Sequence, residues 1–351
     1  MILSLKTLDR GVKMRSTRKK EHIENYLRTS YKGDNLLGDV FIEHDALPDM
    51  DFEDIDLSMT FLDKKIGSPI IINAMTGGTD FTQGINKDLA NLARTFNIPM
   101  AVGSQTIALE DDNSAESFQI VRETIGPEGI VLSNLNGNSS VENAKRAIEI
   151  IDADALQIHL NPAQELVMEE GDRGFTGISK NIEAIVKSVD VPVIVKEVGF
   201  GISKDVGKRL YDLGVRNIDV AGYGGTNFIE IENLRNHTID LSEFYDWGIP
   251  TALSLIECKS LGEDLNLIAS GGIRNSMDIV KSLVLGASIA GISGELLAYL
   301  VHGGYENAEQ YLKNLIYKIK VAMILLGKKN LSELKGTNYK VTGKLKMLLD
   351  E

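Results

Sequence analysis

Residues 265–286 read LNLIASGGIRNSMDIVKSLVLG, and this stretch holds one complete unit of the predicted fold. The apolar run Leu265–Ser270 does not alternate with polar residues, which is typical of a parallel strand buried on both faces. A glycine-containing turn follows, and Ser276–Gly286 has the apolar spacing of an amphipathic helix. The stretch therefore predicts a strand, a tight turn and a helix in succession.

The same succession recurs along most of the chain at a spacing of roughly 30 residues, which is typical of βα units. Other helical patterns include Val141–Ile151 and Asn181–Val189. Apolar runs predict strands near Pro69–Asn73, Met100–Gly103, Ile130–Asn134, Ala155–Leu160, Val193–Val198, Asn217–Ala221, Leu265–Ser270 and Ser288–Ile292. Eight such units predict an α/β fold, a (β/α)8 TIM barrel. A doubly wound open sheet is the alternative, because a sequence does not show whether a sheet closes.

Three segments lie outside this succession. Residues 1–65 form an N-terminal extension with a basic cluster, Arg15, Arg18, Lys19 and Lys20; the barrel covers 66–302, and 303–351 predict added C-terminal helices. Residues 222–250 are a long connection after the sixth strand, and loops of that length are usually functional or mobile. The basic cluster is either a solvated tail or a segment that closes over an anionic ligand.

Composition excludes several classes of protein. The 351 residues carry a formal net charge of −13, opposite in sign to that of a generic nucleic-acid binder or a basic peripheral membrane protein. The single cysteine, Cys258, excludes an intrachain disulfide and a zinc-ribbon site. No apolar run approaches the roughly 18 residues of a membrane span, and the N-terminus lacks the apolar core of a signal peptide. We therefore expect a cytoplasmic protein that binds neither nucleic acid nor membrane.

Polar residues collect where the predicted strands end. In barrels the chemistry lies at the C-terminal ends of the strands, and the opposite ends carry no comparable cluster here. The strand ends read NAMTGG (73–78), GSQT (103–106), SNLNGN (133–138), HLNPAQE (159–165), KEVGFG (196–201), AGYGGTN (221–227), SGGIR (270–274) and GISGE (291–295). This asymmetry predicts one active face, although strand ends can also be polar simply because they are exposed.

The turn SGGIR is the strongest candidate for a phosphate site. Glycines let backbone N–H groups approach a phosphate, the next helix points its N-terminus at it, and Arg274 adds a forked charge. Ser293-Gly294 follows the eighth strand, and loops seven and eight are where barrels commonly bind phosphate. The alternative is an ordinary turn that uses glycine for its geometry.

Lys196 stands in an otherwise apolar strand, where an unpaired ammonium group is costly. It could form a Schiff base, neutralise a phosphate or stabilise negative charge on a reduced flavin. The alternative is a salt bridge with Glu197 or another carboxylate.

The stretch HLNPAQE has two interpretations. Asn161, Pro162 and Gln164 match an N-cap, a first helical residue and a capping box, which explains them structurally. Alternatively Gln164 and Glu165 face the barrel mouth, where Glu165 is an oxygen ligand for Mg²⁺ and a diphosphate supplies others. His159 is a candidate proton carrier, or a structural hydrogen-bonding group.

Taken together, NAMTGG, AVGSQ, SNLNGN, LQIHLNPAQE, VPVIVKEVGFG, DVAGYGGTNF, SGGIR and RKKEH resemble the type 2 isopentenyl diphosphate isomerases, from Arg18 to about Ala298. The resemblance implies an FMN-dependent (β/α)8 barrel that interconverts isopentenyl and dimethylallyl diphosphate by a 1,3-allylic proton shift. It also implies Mg²⁺ with the diphosphate, NAD(P)H as the reductant of FMN, and a homo-oligomer, either tetramer or octamer.

Site residues follow from the resemblance position by position. It implies FMN contacts at Ala74, Met75, Thr76, Gly77, Ser104, Asn134, Lys196 and Thr226. It implies FMN phosphate contacts at Gly272, Ile273, Arg274, Ser293 and Gly294. It implies substrate contacts at Arg18, Lys19, Ser104, Gln105, Thr106, His159, Asn161 and Gln164, with Mg²⁺ on Glu165. One departure is Ser293-Gly294-Glu295, where many members have a small residue, then arginine or leucine, then proline.

An amide is a poor acid and a poor base, so we expect that Gln164 does not move the protons alone. The hypothesis is acid–base catalysis by N5 of reduced FMN, with Gln164 positioning or relaying and Lys196 stabilising the anionic ring. Lys196, Gln164 and His159 are therefore the catalytic candidates.

Rival functions also use this fold. A 2-hydroxy-acid oxidase would need a histidine and an arginine after the sixth strand, where VAGYGGTN has neither. A reaction like that of IMP dehydrogenase would need a loop cysteine, whereas Cys258 falls in a predicted helix. A non-catalytic flavoprotein is the remaining alternative.

Overall fold

The computed structural model describes residues 18–29, 33–235 and 238–350, so Arg15 of the predicted basic cluster lies outside the described residues. Its strands are β1 (Val40–Ile42), β2 (Met59–Phe61), β3 (Lys64–Ile66), β4 (Ile70–Ile72), β5 (Met100–Ala101), β6 (Val131–Asn136), β7 (Ala155–His159), β8 (Val193–Lys196), β9 (Asn217–Asp219), β10 (Asn266–Ala269), β11 (Ile289–Ile292) and β12 (Tyr339–Val341).

Strands β4 to β11 form a closed, all-parallel barrel in chain order. The closing pair is β11 and β4, in which Ala290 lies opposite Ile70 and Ile292 opposite Ile72. Each barrel strand falls within a predicted strand or extends at most two residues beyond one. The predicted (β/α)8 barrel is therefore confirmed, and the open-sheet alternative is wrong.

Helices between successive barrel strands cover the outside of the barrel, and further helices lie before and after them in the chain. They are α1 (18–28), α2 (Asp80–Phe96), α3 (Thr106–Glu110), α4 (Glu116–Ile125), α5 (Val141–Ile150), α6 (Pro162–Val167), α7 (Ile178–Ser188), α8 (Lys204–Asp212), α9 (Phe228–Arg235), α10 (Thr251–Lys259), α11 (Ser276–Val284), α12 (Gly294–Leu325), α13 (Leu331–Leu334) and α14 (Gly343–Leu349). Cys258 lies in a helix, α10, as predicted, and the structure shows that it is buried. Among the described residues, no helix combines the length and apolar character needed to cross a membrane.

Two apolar cores hold the barrel together. The larger core lies between the strands and the surrounding helices. The smaller core fills the barrel interior and is formed mainly by Ile71, Ala101, Leu132, Ala155, Ile194, Ile268 and Ile289, with Phe61 and Ile66 of the β2–β3 hairpin. The hairpin therefore packs on the N-terminal end of the barrel interior, opposite the end where the polar strand ends lie.

An early and a late segment of the described chain pair outside the barrel sheet. Strand β1 pairs antiparallel with β12, with Val40 opposite Val341. The prediction of helices alone for residues 303–351 missed β12, because a three-residue strand has too little sequence pattern to detect. Helix α12 crosses the predicted boundary at residue 302, and Gly304 interrupts it with a φ of 75°. The division into 1–65, 66–302 and 303–351 stays a prediction.

Candidate active site

A cavity of about 640 Å³ opens at the C-terminal ends of the barrel strands, and α1 lies across its mouth. The structure brings most of the predicted site residues together in its wall: Arg18, Lys19, Ala74, Met75, Thr76, Ser104, Thr106, Asn134, His159, Asn161, Gln164, Glu165, Lys196, Thr226, Gly272, Ile273, Arg274, Ser293 and Gly294. The volume lies within the range of roughly 300–1,000 Å³ that is usual for cofactor and ligand sites.

Two predicted residues do not line the cavity. The side chain of Gln105 is fully buried, where Nε2 donates to the Ala147 carbonyl at 3.0 Å and Oε1 accepts from the Asn134 N–H at 3.1 Å. Both ends of this side-chain amide are bonded within the protein, so the side chain has a structural role, and the substrate contact at Gln105 stays a prediction. Gly77 is not among the lining residues either, and a Cβ there would lie 2.1 Å from the Phe118 ring.

One end of the cavity is the predicted phosphate site, here called the cradle, formed by the loops after β9, β10 and β11. The backbone of Gly271 and Gly272 packs directly on the β9 loop: a Cβ on Gly271 would lie 2.0 Å from the Gly222 carbonyl oxygen. Arg274 Nη2 donates to the Gly224 carbonyl, which fixes the guanidinium at the cavity wall.

Two helices begin at this cradle. Asn275 caps α11 by accepting from the Met277 and Asp278 N–H groups, at 2.9 and 3.0 Å. Helix α12 begins at Gly294, immediately beyond the end of β11. The first N–H groups of α11 are thus bonded within the helix, whereas the N-terminus of α12 and the Arg274 guanidinium both lie at the cavity wall, which favours an anion there. The sequence pattern predicts a phosphate site at the loops after the seventh and eighth barrel strands. In the structure, the glycines of the loop after the sixth barrel strand, β9, also form part of the cradle.

The cavity floor is a chain of hydrogen bonds between side chains of neighbouring strands. His159 Nδ1 lies 2.8 Å from Asn134 Oδ1, and Asn134 Nδ2 donates to Gln157 Oε1 at 3.0 Å. Gln157 Nε2 donates to Asn73 Oδ1 at 2.9 Å, and Asn73 Nδ2 donates to Asp219 Oδ2 at 2.6 Å. These hydrogen bonds hold the side-chain amide of Asn134, which lines the cavity, in one orientation.

Sequence reasoning missed three members of this floor, Asn73, Gln157 and Asp219, as functional candidates. A signal was available, because Gln157 and Asp219 are polar residues inside apolar strand patterns, as Lys196 is. A buried polar side chain needs a partner, and here the partners are one another.

Lys196 is buried at the end of β8, beside His159 in the strand register. Its Nζ donates to the backbone carbonyl of Glu197 at 2.7 Å, whereas the Glu197 carboxylate accepts from the backbone N–H groups of residues 198–200. The alternative of a direct salt bridge to Glu197 is therefore wrong. Burial lowers the pKa of Lys196, and the charge of Asp219 partly opposes this.

His159 is neutral in this setting. Burial, with the nearby charge of Lys196 as the second cause, lowers the pKa of His159 to about 3. An imidazole with that pKa does not carry a proton near neutral pH, so its expected contribution is a hydrogen bond.

Helix α6 presents its first turn to the cavity mouth. Pro162 is its first residue, as expected, but the Asn161 side chain accepts no backbone N–H. Instead Asn161 Nδ2 donates to Gln164 Oε1 at 3.1 Å and to Glu165 Oε1 at 2.9 Å. The capping-box interpretation is therefore wrong, and the three polar side chains support one another.

The loop after α6 fixes Glu165 from the other side. Glu165 Oε2 accepts from the Asp172 N–H at 2.7 Å. Arg173 Nη1 donates to the carbonyls of Glu165 and Gly171, at 2.5 and 2.8 Å, and Nη2 donates to the carbonyl of Met168 at 2.6 Å. This role of Arg173 could not be predicted, because the neighbouring sequence does not indicate which backbone carbonyls the guanidinium contacts.

Helix α1 carries two of the predicted cations into the cavity wall. Lys19 Nζ donates to the Ser104 carbonyl at 3.1 Å, and Arg18 Nη1 lies 3.8 Å from Glu170 Oε1. The solvated-tail alternative is therefore wrong for Arg18 and Lys19, whereas Lys20 is largely exposed.

An ion-pair network anchors α1 to α9. Arg235 lies 2.9 Å from Glu21 Oε2, 2.5 Å from Glu232 Oε2 and 2.9 Å from Glu170 Oε1. His22 Nε2 lies 2.7 Å from Glu232 Oε1. Burial acts to raise the pKa of Glu232, but the His22 hydrogen bond and the Arg235 charge hold it below its ordinary value.

Comparison with known proteins agrees with this geometry. Isopentenyl-diphosphate delta-isomerase of Bacillus pumilus is 45% identical over 330 residues, which are 94% of this chain and 92% of the relative. The chain belongs to the isopentenyl-diphosphate delta-isomerase family. The member from Geobacillus sp. is 46% identical, with 94% of each chain covered. A family model described as FMN-dependent dehydrogenase matches residues 170–340. The family predicted from the motifs is confirmed.

Other proteins of solved structure share this fold. A mandelate oxidase variant has a TM-score of 0.67 at 18% identity, covering 91% of this isomerase-family chain and 95% of the other. A flavocytochrome b2 variant has a TM-score of 0.68 at 19% identity, covering 93% and 84%. At this identity the likeness concerns the fold alone.

Proposed function

We propose that this protein interconverts isopentenyl and dimethylallyl diphosphate in the cavity at the barrel mouth, with FMN and Mg²⁺ bound. One observation carries the proposal: a single cavity has the glycine-rich cradle, with Arg274, at one end, and at its mouth the cations Arg18 and Lys19 and the carboxylate of Glu165. This arrangement suits two phosphate-bearing ligands, in a chain that shares its sequence with isomerases over 94% of its length.

FMN fits the residues present. Its phosphate would be bound by Gly272, Ile273, Arg274, Ser293 and Gly294, and its ring would contact Ala74, Met75, Thr76, Ser104, Asn134, Lys196 and Thr226. Within the described residues the buried Thr76 hydroxyl has no hydrogen-bond partner, which indicates that a bound group supplies one. Reduced FMN, with NAD(P)H as its reductant, would supply the acid–base chemistry at N5.

Three side chains of the protein would prepare the reacting end of the substrate. Lys196 brings a buried positive charge to the ring, which would favour an anionic reduced flavin. Gln164 is held by Asn161, so its amide would position the alkene rather than act as an acid. His159, neutral and tied to Asn134, would donate or accept a hydrogen bond.

The other end of the substrate would lie under α1. Arg18 and Lys19 would bind the diphosphate together with Ser104 and Thr106 at the end of β5 and the start of α3. Among the described residues, no group of three or more His, Cys, Asp or Glu side chains could hold a metal ion alone. Mg²⁺ would therefore take Glu165 as its protein ligand and complete its shell with diphosphate and water oxygens.

An activity assay tests the proposal. We expect the purified protein to have a flavin absorbance spectrum and to isomerise isopentenyl diphosphate only when both a flavin reductant and Mg²⁺ are present. Omitting either one should abolish turnover, and restoring it should return the rate. A colourless protein, or equal turnover with oxidised flavin and a metal chelator, would overturn the proposal. The cytoplasmic location and the homo-oligomer remain predictions.

A further inference from the structure

A tyrosine from α1 packs on the first residue of α12. A Cβ built on Gly294 would lie 2.1 Å from both Cζ and the hydroxyl oxygen of Tyr26. No other residue type could stand at position 294 without displacing this ring. The departure from the family pattern at Ser293-Gly294-Glu295 therefore has a structural explanation. Because Gly294 has no side chain, the Tyr26 ring can occupy the space beside it.

The Tyr26 hydroxyl is placed as a hydrogen-bond donor to an anion. Tyr26 is partly buried and lines the cavity with Arg274, Ser293 and Gly294, the residues of the phosphate cradle. Within the described residues its hydroxyl has no hydrogen-bond partner. Burial, with the charge of Glu295 as the second cause, raises the pKa of Tyr26 to about 12, so the hydroxyl keeps its proton.

We propose that Tyr26 is a phosphate ligand of the flavin, donating its hydroxyl to the phosphate bound between Arg274 and the N-terminus of α12. This inference rests on the proposed binding of FMN. It has a mechanical consequence, because Tyr26 lies on the same helix as Arg18 and Lys19. An α-helix rises about 1.5 Å per residue, so Tyr26 and Arg18 are roughly 12 Å apart along α1. One rigid helix thereby contacts the cofactor phosphate and the substrate diphosphate together.

Substitution of the hydroxyl alone tests this role. We expect Tyr26→Phe to weaken the binding of FMN to the flavin-free full-length protein by roughly tenfold, the size expected for one hydrogen bond to a charged group. Binding of riboflavin, which lacks the phosphate, should not change, because the ring still packs on Gly294. Flavin fluorescence titration measures both constants. Tyr317→Phe, at a position 60% exposed and outside the cavity wall, is the matched control and should change neither.

The outcomes separate the two proposals. If wild-type protein binds riboflavin as tightly as FMN, the proposed phosphate cradle is wrong. If wild type prefers FMN but Tyr26→Phe binds FMN equally well, or loses FMN and riboflavin affinity together, only the role of Tyr26 is wrong. A second variant, Gly294→Ala, should displace the ring and also lower FMN affinity; unchanged affinity there would count against the inference as well.

Discussion

At the scale of single residues, burial sets the charge states at the cavity floor. His159 and Lys196 are neighbours across β7 and β8; Lys196 is buried, His159 is half-buried in the cavity wall, and burial lowers the pKa of both. Two positive charges at this spacing would repel in a low-dielectric site, so only one is retained. The lysine is the one suited to balance an anionic ligand, since its ordinary pKa lies far above that of histidine.

The buried histidine predicts a particular dependence of stability on pH. The unfolded chain binds a proton on this residue near pH 6.5, whereas the folded chain binds it only near pH 3. The stability of the neutral site is therefore complete above pH 6.5 and is lost as pH falls towards 3. Between pH 7 and 5 the loss from His159 should be up to about 2 kcal/mol.

Urea unfolding of the wild type and His159→Gln at pH 7 and pH 5 measures this difference. The variant should be less stable than the wild type at pH 7, because it loses the hydrogen bond to Asn134, but its further loss at pH 5 should be smaller. His44→Gln, at an exposed position, is the control and should keep the wild-type dependence. Equal pH dependence in His159→Gln and the wild type would contradict a buried neutral imidazole.

At the scale of elements, α1 is the part of the site that is farthest in sequence from its partners. Arg235, at the end of α9, holds it in place through Glu21 and also neutralises Glu170 and Glu232. The side chains of Arg235 and Glu232 are 15% and 1% exposed, so their charges are poorly screened by solvent. Removing one residue of such a pair lowers the stability of the fold, because the charge of the other residue stays buried without its partner.

Removal of Arg235 should therefore destabilise the protein. We expect Arg235→Met to lower the free energy of unfolding by roughly 2–4 kcal/mol, because three carboxylates then lose their shared cation. The KM for substrate should rise, since α1 carries Arg18 and Lys19. Arg146→Met, which breaks an exposed pair with Asp112, should cost less than about 1 kcal/mol. Equal losses in the two variants, measured by urea denaturation, would show that the Arg235 network does not anchor α1.

At the scale of the whole molecule, the fold could be predicted largely because a parallel barrel has a repeating pattern. Every strand of the barrel is buried on both faces, so each one produces a continuous apolar run such as Val193–Lys196. Closure of the barrel could not be predicted, because it depends on the pairing of β11 with β4. Nothing in the sequences of these two strands indicates that they pair. The pairing of β1 with β12 was missed for the same reason.

The candidate site likewise has a part that could be predicted from the sequence and a part that could not. Residues in strand-end motifs, such as Lys196 and Arg274, could be named because a barrel brings all eight strand ends to one face. Contacts between distant segments could not: Tyr26 on Gly294 and Arg235 on Glu21 join residues more than 200 positions apart. The packing of the Gln105 side chain against Ala147 could not be predicted either, because a polar residue at a strand end can face the cavity or the helices behind it.

The separation of two phosphate sites in one cavity is tested most directly by Glu165→Gln, assayed for bound flavin and for turnover in the same preparation. Glu165 lies at the mouth on α6, away from the cradle, so the variant should keep the flavin content of the wild type. Its isomerase activity should fall, and the Mg²⁺ concentration for half-maximal rate should rise roughly 10- to 100-fold. Full activity at ordinary Mg²⁺, or loss of flavin in step with activity, would contradict a metal-assisted diphosphate site distinct from the flavin site.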